Sequence, residues 1–122
     1  MEAPGSNPGI PTITTTRPAT LRRVDIRTFQ KQMAALYGAR DQQRGLERTF
    51  VWFTEECGEL ARAIFREGGA DRMAHEFSDV LAWLSTLANL AGVDLAAAAE
   101  RYADGCPRCG GKTLAPYEAT AI

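Results

Sequence analysis

Four carboxylates in two stretches of the chain have the types and spacing to hold a divalent cation. They are Glu56 and Glu59 in one stretch, Glu76 and Asp79 in the other. Each pair is spaced i, i+3, so on a helix both members share one face. Like charges at that spacing weaken an isolated helix by about a few tenths of a kcal/mol per pair. Bringing two such pairs together in a partly buried seam costs far more unless a cation neutralises them. An all-oxygen set without histidine or thiolate suits Mg²⁺ or Mn²⁺ rather than zinc. Mg²⁺ keeps several waters and commonly bridges to phosphates, so such a site points towards phosphate chemistry. A water on the ion, or one held by neighbouring Glu55, is the candidate nucleophile. The competing reading is a solvated acidic face, with Arg62, Arg66 and Arg72 making surface ion pairs worth little.

Helices must position these acids. Ile26, Phe29, Met33 and Leu36 recur at helical spacing from Val24 onward, and Gly38 supplies a stop. A second helix is expected from about Arg44 to Arg66 and a third from about Asp71 to Ala91, capped by Gly92. Asp94 reads as the N-cap of a short fourth helix, LAAAAERY. Helix two carries an apolar stripe of Phe50, Phe53, Cys57, Leu60, Ala61 and Ile64, read as core. Its flanking stripe is Trp52, Glu56, Glu59 and Ala63. Helix three repeats the scheme, with Phe77, Val80, Leu81, Leu84, Ala88 and Ala91 beside Glu76, Asp79, Trp83 and Leu90. If the hairpin turns at Gly69, Glu59 and Asp79 stand at one height, with Glu56 and Glu76 within a turn of it. Trp52 and Trp83 then lie together on the side away from the turn. Gly58, mid-helix, suggests close packing or ligand approach. The expected fold is all-α, a four-helix arrangement around a long antiparallel hairpin.

A chain of 122 residues makes one domain. Its net charge of -1 argues against general affinity for nucleic acid or anionic membrane. No apolar run reaches membrane-spanning length, and the start lacks the pattern of a secretory signal, so the expected location is cytoplasmic. Residues 1–22, rich in Pro, Gly and Thr, read as a disordered tail preceding a helical domain over 23–104. Residues 105–122 read as an irregular tail carrying Cys106 and Cys109. That Cys-x-x-Cys pair supplies half of a zinc site, and only Cys57 and His75 remain as further soft ligands. An unligated turn is therefore preferred to zinc.

The stretch Glu55-Glu56-Cys57-Gly58-Glu59-Leu60, with Glu76-Phe77-Ser78-Asp79-Val80-Leu81 sixteen residues later, resembles the EExxE…ExxD signature of MazG-like nucleoside triphosphate pyrophosphohydrolases. The resemblance covers about residues 24–104. It implies an all-α fold, and hydrolysis of an NTP or dNTP to the monophosphate and pyrophosphate in nucleotide-pool house-cleaning. It makes Glu56, Glu59, Glu76 and Asp79 the Mg²⁺ ligands and Glu55 an assistant to the metal or the water. It implies a homodimer or homotetramer formed through the helices. His75 stands where many members have a second acid, and a solvent-facing role is expected for it. Arg44, Arg48 and Arg101 are the candidate phosphate contacts, and Trp52 and Trp83 the candidate base-stacking groups. Two other classes compete: a catalytically silent dimerisation module, and a zinc-stabilised nucleic-acid-binding protein resting on Cys106 and Cys109.

Overall fold

The computed structural model describes residues 23–66 and 69–111. Among them it forms four α-helices, a short 3-10 turn and no strand. The expected tail 1–22 and the end of the C-terminal tail lie outside the described residues.

Helix α1 runs Ile26–Arg44. Asp25 caps it, accepting the Thr28 N–H at 2.7 Å, and that bond holds the Asp25 carboxyl below its ordinary range. Gly38 does not end the helix as expected. An interior glycine costs only ~1 kcal/mol against alanine, which a helix of this length absorbs. The stop comes at Gly45, whose φ of 81° is closed to most side chains. The Gly45 carbonyl then accepts the Thr49 N–H at 3.1 Å and the Thr49 hydroxyl at 2.7 Å. Helix α2, Leu46–Phe65, therefore starts at once from the glycine that ended α1.

Helix α3 spans Gly69–Ala91. It closes with the Val93 N–H on the Ala88 carbonyl at 2.9 Å and the Gly92 N–H on the Asn89 carbonyl at 3.3 Å. Gly92 sits at φ 71°, so this is a Schellman cap. Asp94 caps α4, Leu95–Ala99, and Glu100–Tyr102 tightens into a 3-10 turn, so the expected fourth helix is α-helical only in its first part.

The two long helices pack as a hairpin, and α1 lies chiefly against α3. Gln30 ties α1 to the far end of that hairpin. Its amide donates to Asn89 Oδ1 at 3.0 Å and to the Val93 carbonyl at 2.7 Å, while its Oε1 accepts the Leu95 N–H at 2.9 Å. Asn89 returns a bond to the Gln30 carbonyl at 3.1 Å.

The hairpin seam corrects the expected core. Thr49, Ala63, Thr86 and Ala88 are buried, and Trp52 stacks on Trp83. Thr49, Trp52, Glu56, Glu59 and Ala63 follow a three–four alternation, as do Glu76, Asp79, Trp83, Thr86 and Leu90. That is the spacing of a two-helix seam. The stripes read as flanking are the seam itself. Half of the apolar residues read as core face outward, the large ones among them Phe50 at 54% exposed, Ile64 at 52%, Phe77 at 55% and Leu81 at 43%. Ala88 alone of that set is fully buried. Gly58 is exposed with open space where a Cβ would stand, so close packing among the described residues is not its reason. Among the described residues no single helix is long and apolar enough to cross a membrane.

Candidate functional site

The seam brings three of the four carboxylates together. One oxygen each from Glu56, Glu76 and Asp79 lies within 4.8 Å of the others, a spacing at which one cation can touch all three. The register differs from that expected. Trp52 and Trp83 are equidistant from the 67–68 link, as are Glu56 and Asp79, so Glu56 rather than Glu59 faces Asp79. Glu59 lies one turn nearer the link, half-buried, and accepts from the Arg62 guanidinium. Glu55 is exposed next to Glu56. His75 Nε2 stands 3.3 Å from Asp79 Oδ2 and its ring is open to solvent, as its sequence position suggested.

The cluster leaves an electrostatic mark. Glu56 is held above the ordinary glutamate range, first by partial burial and then by the negative charges of Asp79, Glu76 and Glu55, with the Trp83 indole N–H opposing. Glu56, Glu76 and Asp79 converging in a part-buried seam are a frame in which a cation is stabilising.

Asp79 also lines a cleft of about 290 Å³, shared with Tyr37, Arg40, Asp41, Arg44 and Trp83. Arg44 is held on three sides there. Its Nε donates to Thr49 Oγ1 at 3.0 Å, an Nη donates to Asp41 Oδ1, and its guanidinium carbon lies 4.8 Å from the Trp83 ring centroid. The Trp52–Trp83 centroids are 6.3 Å apart with the rings 19° from parallel. Arg48 is exposed on α2 and Arg101 is exposed in the 3-10 turn; neither lines the cleft. Sequence reasoning missed Tyr37, Arg40 and Asp41. The Asp41-x-x-Arg44 spacing is that of an ordinary i, i+3 ion pair on a helix surface and does not by itself set Asp41 apart.

Cys106 and Cys109 lie in a closed turn. The Cys106 N–H donates to the Gly111 carbonyl and the Gly110 N–H to the Cys106 carbonyl, both at 2.8 Å. Backbone N–H groups of Cys109 and Arg108 hold the Cys106 thiol below its ordinary range. Among the described residues neither cysteine belongs to a cluster of three or more metal-ligand side chains.

The model of the MazG nucleotide pyrophosphohydrolase domain matches residues 44–107. The chain belongs to this family. The match begins at Arg44, the last residue of α1, and contains both acidic pairs. A search of curated proteins finds no match. Membership gives the MazG chain its general chemistry, hydrolysis of a nucleotide phosphoric anhydride, in a family generally dependent on a divalent metal.

Proposed function

We propose that this MazG chain is a Mg²⁺-dependent nucleoside triphosphate pyrophosphohydrolase, converting an NTP or dNTP to the monophosphate and pyrophosphate. The observation that carries the reading is the convergence of Glu56, Glu76 and Asp79 beside a cleft with a fixed arginine. Those three would hold the ion, with Mn²⁺ an accepted substitute, and Glu59, one turn away, would be the fourth ligand. Bound there, Mg²⁺ supplies charge neutralisation on the phosphates and an acidified water. Glu55, exposed beside Glu56, is placed to orient that water. Arg44 presents a positive charge that its three contacts already fix, so little ordering is lost when it meets a phosphate oxygen. Arg48 and Arg101, exposed and outside the cleft, are the weaker candidates for a phosphate contact. Trp52, 46% exposed, offers the open indole face for a base, with Trp83 backing it.

The outward stripe of Phe50, Phe77, Leu81 and Leu84 supports a homodimer or homotetramer. So much exposed apolar surface on so short a chain is stabilised by a second copy. The role that follows is nucleotide-pool house-cleaning in the cytoplasm. Zinc at Cys106 and Cys109 plays no part in the reaction.

The test is a screen of canonical and damaged NTPs and dNTPs with Mg²⁺, scoring pyrophosphate against phosphate. Pyrophosphate with the monophosphate is the expected product, lost in Glu56→Gln and Asp79→Asn. Phosphate as the sole product would overturn the reaction, and activity persisting in both variants would overturn the site.

A further inference from the structure

Asp41 is the most buried acid in the cleft and the least explained. It is 3% exposed, yet only one of its oxygens is engaged. Oδ1 accepts from Arg44, while Oδ2 is buried without a hydrogen-bond partner among the described residues. A carboxylate that serves only to brace an arginine pairs best through both oxygens. Leaving a buried charged acceptor unpaired is costly, and native structures do so where a ligand or another function uses the group. Asp41 lines the same cleft as Asp79 and Trp83.

We propose that Asp41 is a specificity-determining residue whose Oδ2 accepts a hydrogen bond from a neutral N–H or O–H donor on the nucleoside part of the substrate. The inference rests on the cleft being the nucleotide site. Charge decides which end of the substrate Asp41 meets. A carboxylate repels phosphate, and Arg44 and the Glu56–Glu76–Asp79 cluster already provide for the phosphate end. Asp41 is not a member of that cluster, so a second carboxylate ligand for the ion is not its role. A donor of the right shape is an amino or ring N–H of a base, or a ribose hydroxyl. A site built to bond such a donor discriminates strongly against analogues lacking it, because the acceptor is then left unpaired.

The experiment uses the full chain with Mg²⁺ and deletes donors from the substrate. In the base arm, kcat/KM is compared for ATP against purine riboside triphosphate, GTP against inosine triphosphate, and CTP against pyrimidin-2-one riboside triphosphate. In the sugar arm, each ribonucleotide is compared with its 2′-deoxy and 3′-deoxy forms. One arm is expected to lose about ten- to a hundred-fold, mainly through KM, as for a hydrogen bond to a charged group. That arm identifies the donor. Asp41→Asn is expected to remove the discrimination, lowering kcat/KM more on the donor-bearing nucleotide than on its donor-deleted analogue. Equal turnover of all analogues by the unmodified chain overturns the proposal, whether or not the variant folds. A uniform loss on every nucleotide in Asp41→Asn also overturns it and leaves Asp41 as a brace for Arg44. If no nucleotide is cleaved, the pyrophosphohydrolase reading fails and this proposal with it; indiscriminate cleavage sinks this proposal alone.

Discussion

At the scale of single residues the site is governed by repulsion. Glu56 keeps its proton to higher pH than in the unfolded chain, because burial and three neighbouring acids disfavour its charge. The sign follows by linkage. Without metal, its contribution favours the folded state below the ordinary glutamate range and is lost as pH rises through its raised value. Glu56→Gln is therefore expected to flatten that decline and to leave the metal-free chain at neutral pH at least as stable as the natural one. Mg²⁺ reverses the ordering, raising the melting temperature of the natural chain and not of the variant. Thermal unfolding between pH 4 and 8, with and without Mg²⁺, measures both. A natural chain that is most stable at neutral pH without metal, with Mg²⁺ adding nothing, would contradict the assignment. Glu56, Glu76 and Asp79, which converge in the seam, stood out in the sequence because i, i+3 acids are conspicuous. Asp41 did not, because its meaning lies in burial and in one oxygen left unpaired, neither of which spacing records.

At the scale of elements, the three–four alternation of Trp52, Glu56, Glu59 and Ala63 was visible. Hydrophobicity nevertheless assigned the seam to the neighbouring stripe. Helices pack through whichever stripe permits close approach, and here Thr49, Ala63 and Thr86 do so, leaving the larger apolar residues outside. The same bias towards local signals placed a stop at Gly38, where the neighbouring turns override one weak residue. Gly38 has open space where a Cβ would stand, so Gly38→Ala is expected to stabilise the chain by about 0.5–1 kcal/mol in urea unfolding. A loss of stability would mean that α1 breaks there after all. Gln30 is the converse case, a polar residue on which α1, α3 and α4 all depend. Gln30→Ala strands the Leu95 N–H and the Val93 carbonyl, and is expected to cost about 3 kcal/mol. Amide exchange at Leu95 should rise more than at Thr86, whose backbone lies within α3. Equal protection at both positions would show that Gln30 does not hold α4.

For the whole molecule, the outward apolar face explains why hydrophobicity misassigned the core. In the proposed homo-oligomer a second copy covers that face, and burial there would leave the same periodicity as burial within one chain. Phe77, 55% exposed, is the residue to change. The natural chain is expected to sediment as a dimer or tetramer, and Phe77→Glu as a smaller species with its helical circular dichroism kept. A natural chain that stays monomeric at tens of micromolar would remove the assembly from the account. The fold class, the hairpin and the family were all readable from the sequence, whereas the partner of each face was not. The proposed reaction stands on the seam acids forming one metal centre. Titrating the metal-free chain with Mn²⁺, by the loss of the free-ion paramagnetic resonance signal, tests this most directly. One saturable site per chain is expected, weakened at least tenfold by Asp79→Asn and little by Glu47→Gln on the exposed start of α2. Binding that Asp79→Asn leaves unchanged would contradict it.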